Sequence, residues 1–354
     1  VAARPIAISS GKCFNRFISQ GFTLSETLAF FKFIIFFFYL RRQKTSSKFY
    51  QPGLYYFCSM ANREENKSPL SEVFGFPIEN EGTKAQRYRK QKLCPFNNNV
   101  PNCTKDKANN PLGVCSVWHK GTSVITCPTR FREDWVIIEN AAEFAFGSKA
   151  SWTSLSEIKL VDKNGQSAGS IDFVLVRYNE KGQLVDFSSL EVQGVYISGN
   201  LRNPYEEYMK MPTRAFKWPP GYNYPKPDYL SSSRKRLIPQ MLYKGGIFHS
   251  WRKKQSVALQ KSFFETLPSL PTTTKSKADI AWFLYDLELN EEQNQNNLIL
   301  KEVVYTAFEP ALLRVTTPEP GDFTEFINIL QNRLDEHLDK NPPDTPTLTD
   351  IISS

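Results

Sequence analysis

Residues 170–177, SIDFVLVR, and 187–196, FSSLEVQGVY, flank the turn sequence NEKGQ at 179–183, and they decide how the chain reads. Both segments alternate apolar with polar residues at a period of two, and the Gly-containing stretch between them predicts an antiparallel hairpin. The strand period puts Asp172 of the first segment on one face with Glu191 and Gln193 of the second. SEIKLV at 156–161, followed by the turn signal KNG, predicts a preceding strand. A two-residue turn at Asn164-Gly165 pairs 163 with 166 and sets Glu157 opposite Asp172. A second at Glu180-Lys181 pairs Asp172 with Ser189 and leaves Glu191 two residues along on the same face. Diagonal neighbours across strands lie roughly 7–8 Å apart, so Glu157, Asp172 and Glu191 are expected to converge. Acids crowded in this way repel one another unless a proton or a divalent cation intervenes, which predicts a binding task.

The chain has 354 residues and a formal net charge of +8, but that charge is concentrated at one end. Residues 1–59 carry eight Lys or Arg against the single acid Glu26, and 36 basic face 35 acidic residues in the remainder. Nucleic-acid binding is therefore argued from local patches rather than from the overall charge. The same segment holds 11 of the 27 Phe and runs FFKFIIFFFYLRR at 30–42. Its apolar core, Phe33 to Leu40, is far shorter than the roughly 20 residues a membrane span needs. It also lacks a clean small-residue cleavage site. The expectation is a leader of mis-assigned upstream translation over 1–59, with the true start at Met60 and no membrane association; a genuine signal anchor is the other reading.

Four cysteines, Cys94, Cys103, Cys115 and Cys127, fall within 34 positions in an Asn-, Pro- and Gly-rich stretch. A loop-rich segment of this kind needs a staple, and without a convincing secretion signal a metal site is favoured over disulfides. The spacing lacks CxxC knuckles, so free structural thiols stay open as the other reading. Zinc is the default ion and iron the second. His119, near Cys115, is the remaining alternative ligand, although a packed imidazole is the commoner state.

Elsewhere, PLSEVFG at 69–75 reads as a short amphipathic piece in a helix-flavoured stretch, and WVIIENAAEFAF at 135–146 as a buried helix. The Pro- and Tyr-rich stretch 203–233 reads as a long surface excursion. SRKRLIPQMLYKGGIF at 233–248 reads as a basic helix entered near Pro239. AWFLYDLEL and LILKEVVYTAF read as two further strands, and FTEFINILQNRLDEHL at 323–338 as a helix closing the fold before a flexible tail at 341–354. The expected organisation is a metal-binding module at 60–131 and a catalytic domain at 132–340.

Asp172, then Glu191-Val192-Gln193 on the next strand, resembles the PD-(D/E)xK nuclease motif, with Gln193 where Lys is usual and no Pro before Asp172. CPF at 94, CTKD at 103, PLGVCSV at 111, TCP at 126 and LEVQ at 190 together resemble the NotI-type restriction endonucleases, and PQMLYK at 239–244 adds to the likeness. The resemblance covers about 70–335. It implies an α/β fold: a PD-(D/E)xK restriction-endonuclease-like core, a mixed sheet flanked by helices, with a small N-terminal four-cysteine module. It also implies Cys94, Cys103, Cys115 and Cys127 as ligands of a structural iron, with zinc as the alternative. Asp172, Glu191 and Gln193 become the catalytic set, with Glu157 as a further acid and Mg²⁺ held by Asp172 and Glu191.

The implied activity is that of a type II restriction endonuclease: a cytoplasmic homodimer hydrolysing double-stranded DNA at a specific site, alongside a cognate DNA methyltransferase. A non-cleaving DNA-binding protein on the same metal-stapled fold is the alternative. Candidate phosphate-contacting residues are Lys217, Lys226, Arg234, Lys235 and Arg236, then Arg252, Lys253 and Lys254, each a basic side chain in or beside the excursion and the basic helix.

Overall fold

A computed structural model describes residues 68–97, 100–107, 109–219 and 224–340. The expectations for the leader at 1–59, the start at Met60 and the tail at 341–354 lie outside these residues. The described residues belong to one compact unit. Among the described residues no helix is long and apolar enough to cross a membrane.

The first layer is a four-stranded antiparallel sheet in the order β2-β1-β3-β4, with β1 at Leu70–Val73, β2 at Phe76–Pro77, β3 at Val114–His119 and β4 at Thr122–Ile125. The PLSEVFG piece is thus a strand and not helical. All four residues of β1 are buried, and the chain reverses at Phe74-Gly75 through left-handed backbone. A side chain at Gly75 would lie 2.2 Å from Pro95 Cγ, so glycine there lets the turn close against the segment carrying Cys94. Helix α1, Thr83–Gln91, anchors the layer through Arg89, whose guanidinium donates to the carbonyls of Pro77 and Asn80 at 2.6 Å each.

The second layer is a six-stranded mixed sheet in the order β12-β11-β10-β7-β6-β5. Its members are β5 Trp152–Val161, β6 Ser167–Tyr178, β7 Leu184–Gln193, β10 Gln255–Gln260, β11 Ile280–Asn290 and β12 Gln295–Thr306. Strand β10 runs parallel to both β7 and β11, and the other pairs are antiparallel. The sequence QSVALQ is buried at every position. As a strand covered on both faces it has no polar alternation to betray it.

Helix α2, Val136–Phe146, covers one face of this sheet, burying Ile137, Ile138, Ala141, Ala142 and Phe144 against Phe173, Leu190, Val192 and Phe283. Residues of the opposite face, Val257, Leu259, Trp282 and Leu284, share a core with Leu70, Val73, Val114 and Val117 of the first sheet. That core therefore runs across the boundary expected at 131/132.

Between β7 and β10 the chain forms the two-stranded pair β8 (Ile197–Ser198) and β9 (Lys226–Pro227), helix α3 (Arg202–Lys210) and a helical run α4 from Tyr229 to Ser250. The stretch read as a surface excursion thus contributes buried Pro204, Tyr205 and Tyr208. Two π turns, Ser233–Leu237 and Met241–Gly245, flank the short α segment holding Pro239. Proline removes a helical N–H and crowds the preceding turn, and widened turns on either side absorb that misfit. Helix α5 follows at Phe308–Thr316. Helix α6, Phe323–Lys340, has no buried residue, contrary to its expected closing role: Phe323 is 76% exposed and Phe326 56%.

Candidate active site

Strands β5, β6 and β7 position the acids, and their turns set the register. Each hairpin closes through a three-residue loop ending in a left-handed glycine: Asp162 N–H donates to the Gln166 carbonyl with Gly165 at φ 73°, and Asn179 N–H to the Gln183 carbonyl with Gly182 at φ 72°. The Asp162 and Asn179 side chains brace these loops by accepting two backbone N–H groups each. A bulge follows each loop, with Ala168 the extra residue opposite Leu160 and Val161 and Val185 the extra residue opposite Arg177 and Tyr178.

In the first hairpin, loop and bulge together restore the expected alignment. Ser156 pairs with Phe173 and Ile158 with Ile171, so Glu157 stands opposite Asp172. In the second they shift it by two residues. Phe173 pairs with Leu190, so Asp172 faces Glu191 directly and not Ser189. A shift of two preserves the face, which is why the acids still meet.

Asp172 is half-buried, and its Oδ2 accepts the Val192 N–H at 2.8 Å. The Glu191 side chain is 13% exposed; Oε2 accepts from Lys244 Nζ at 2.6 Å, while Oε1 is buried with no hydrogen-bond partner. Burial, and next the Asp172 carboxylate, push the Glu191 carboxyl up to about 8 against the pull of Lys244. Gln193 is buried, and its amide Nε2 donates to the Gly194 carbonyl at 2.8 Å. Glu157 is exposed and has left-handed backbone, φ 56°, which interrupts the alternation of β5. Among the described residues no group of three or more His, Cys, Asp or Glu is placed to hold a metal ion, so neither Glu157 with the Asp172–Glu191 pair nor the four cysteines form such a group as they stand.

The raised acid has a measurable consequence. Folded protein holds the Glu191 proton up to about pH 8, whereas an unfolded chain releases it near the ordinary 4.5. The native state therefore binds the extra proton between these values, and stability falls as pH rises through that window. In EDTA, Glu191→Gln is expected to gain about 1 kcal/mol or more on the wild type between pH 5 and pH 8.5. Thermal melts across that range check it, and parallel curves for the two proteins would contradict the assignment.

Lys244 carries no signal in the linear motif. It arrives from α4, far along the chain, and its Nζ also donates to the Ser170 carbonyl at 2.8 Å. What brings α4 down is Gly245, where a side chain would lie 2.9 Å from Gln255 Oε1 and 3.0 Å from Phe308.

Cys94, Cys103, Cys115 and Cys127 are all free thiols lining one pocket, together with Phe74, Phe96 and Leu112. Burial pushes the Cys94 thiol up to about 11 and raises Cys103 and Cys115 as well; for Cys115 the neighbouring Cys127 adds to the shift. His119 ends β3 and does not line this pocket. The segment also touches the candidate catalytic strand. Val195 N–H donates to the Ile125 carbonyl at 2.9 Å, and a side chain at Gly194 would lie 3.3 Å from Thr126 and Pro128, the neighbours of Cys127.

Of the basic candidates, Lys217, Lys226, Arg234, Lys235, Arg236 and Arg252 are exposed. Lys253 is paired with Asp186 at 2.7 Å, and Lys254 donates to the Phe144 carbonyl at 3.1 Å. The exposed residues 234–236 therefore offer the denser cationic surface, on the same helical run that delivers Lys244.

Two partly buried acids, side by side on a mixed sheet with a buried lysine against them, are the material of a hydrolytic centre. Compared with known families, the sequence matches the restriction endonuclease NotI family over residues 73–298, well over half of its length, and the chain belongs to that family. It is thus a type II restriction endonuclease, a site-specific deoxyribonuclease acting on DNA. A search of curated proteins returned no match.

Proposed function

We propose that the chain cuts double-stranded DNA with a PD-(D/E)xK-type centre in which Asp172 and Glu191 hold Mg²⁺. The observation carrying this reading is the pairing of the two carboxylates across β6 and β7, with Glu191 Oε1 buried and lacking any donor. Two acids this close need a proton or a cation between them, and a hard divalent cation can take the place of the proton that Glu191 otherwise holds. The element order supports the same centre: α2, the antiparallel β5, β6 and β7, a helical crossover, then β10 parallel to β7.

Bound there, Mg²⁺ would supply Lewis acidity at the phosphate and lower the cost of activating water. The chain's own residues do the rest. The Val192 N–H fixes the Asp172 carboxylate, and the apolar packing of Leu190 and Val192 keeps β7 rigid beneath the site. Gln193 is the motif's terminal polar group, with Glu157 an outlying acid at the rim. Lys217, Arg234, Lys235, Arg236, Arg252 and Lys253 would contact phosphates.

A wild-type melting temperature that rises with added Mg²⁺, beside an unresponsive Asp172→Asn protein, tests the metal assignment. Equal responses would refute it.

The four cysteines would hold a structural iron, or zinc: they line one pocket and soft sulfur donors suit either ion, although as placed they would have to draw closer together to ligate it. The role is support: the pocket braces the end of β7 through Gly194 and Val195. Elemental analysis of purified protein is expected to find about one iron or zinc per chain, lost in Cys115→Ser and retained in Asp172→Asn. Metal-free wild-type protein of equal thermal stability would contradict this.

Each chain carries one Asp172–Glu191 pair, so cutting both strands of a palindromic site calls for a homodimer. A host exposed to such cutting needs a methyltransferase to protect its own sites. The free thiols suit a reducing cytoplasm, where that DNA lies.

A further inference from the structure

We propose that Lys244 is the cationic positioning residue of the cutting site, filling in three dimensions the role that Gln193 cannot fill in the linear motif. This rests on the reading of Asp172 and Glu191 as the cutting pair. Lys244 is 8% exposed in its side chain, an expensive place for an ammonium unless it is fully engaged. It bridges the two strands that carry the acids, with Glu191 Oε2 of β7 at 2.6 Å and the Ser170 carbonyl of β6 at 2.8 Å.

Of the three ammonium protons these bonds use two. Gln193, by contrast, has its amide nitrogen on the Gly194 carbonyl and brings no charge to the pair. Lys244 holds one Glu191 oxygen, so the carboxylate keeps a fixed orientation and presents its other oxygen, Oε1, unbonded. The backbone is shaped for this delivery: the π turn at Met241–Gly245 carries Lys244, and the close approach at Gly245 seats the turn on the start of β10.

The test compares wild type, Lys244→Met, Lys244→Arg and Asp172→Asn as full-length proteins. Single-turnover cutting, KM, DNA binding in EDTA and the Mg²⁺-induced shift in melting temperature are measured for each. Lys244→Met is expected to cut roughly 100-fold more slowly. Its KM and DNA affinity should stay within about threefold of wild type, and its half-saturating Mg²⁺ concentration should not rise, because removing a cation beside two acids does not weaken their hold on a metal. Lys244→Arg should recover part of the loss. A lysine that merely stabilises the fold would lower the melting temperature and leave cutting at 15 °C unchanged, which overturns the proposal.

Cutting by Lys244→Met within threefold of wild type, or loss of DNA binding in proportion to cutting, also overturns it. Should Lys244→Met not fold, Lys244→Ala with added ethylammonium decides: rescued cutting supports the proposal and none refutes it. Asp172→Asn separates the two levels. Full activity there removes the site reading itself, whereas an inactive Asp172→Asn beside an active Lys244→Met removes only the role of Lys244.

Discussion

Asp172→Asn is expected to slow DNA cutting by roughly 10³-fold or more, the several kcal/mol that a lost charge at a metal-assisted centre represents. Asparagine is nearly the same size, and its side-chain oxygen can still accept the Val192 N–H that Asp172 Oδ2 accepts at 2.8 Å. The strand geometry should therefore persist, and the loss will be chemical rather than structural. DNA affinity in EDTA should change by less than about threefold, because removing one of two crowded acids does not remove the exposed cations of α4. Single-turnover cutting measured beside a binding titration checks both halves. A variant cutting within tenfold of wild type would move the chemistry away from the Asp172–Glu191 pair.

The second large effect concerns stability. Arg130 and Glu72 have fully buried side chains joined at 3.1 Å, and Ser116 Oγ donates to the same Glu72 oxygen at 2.9 Å. Arg130 also binds Glu133 Oε2 at 2.8 Å and the Asn296 carbonyl at 2.9 Å, and its guanidinium lies over the Phe96 ring at 4.3 Å. One side chain thus ties β1, the turn after Cys127, the Cys94 segment and β12 together. Glu72→Ala leaves Arg130 charged, buried and short of its main partner, a defect worth about 3–5 kcal/mol. In a domain of this size that lowers the melting temperature by on the order of 10 °C. The variant should still cut DNA when assayed cold, since neither residue belongs to the acid pair. A drop of under 1 kcal/mol would show that water reaches the pair.

How far the sequence foretold this arrangement depends on how local each signal was. The hairpins β5–β6 and β6–β7 were legible because half-buried strands alternate and their turns carry glycine. Loop length was not: Asn164-Gly165 and Glu180-Lys181 suggest two-residue turns, but left-handed Gly165 and Gly182 each close a three-residue loop followed by a bulge. Two-residue periodicity forgave the resulting shift at Glu191.

Strand β10 escaped because a strand buried on both faces has no alternation to read. Strand β1 escaped because four buried residues are too few to show a period. Lys244 closes the PQMLYK stretch that adds to the family likeness, but its place in the site was hidden for a different reason. Its nearness to Glu191 is a product of the helical crossover, 53 residues away in sequence, and no spacing rule announces it. The four cysteines, expected to share a staple, do line one pocket, but they form no metal-ligand group among the described residues, and their spacing names no ion.

The most direct single measurement is digestion of unmethylated genomic DNA by the full chain in Mg²⁺, followed by sequencing of the fragment ends. Discrete fragments sharing one palindromic end sequence, absent in EDTA and absent with Asp172→Asn, are the predicted result. Intact DNA with folded wild-type protein, or ends without a common sequence, would contradict the account.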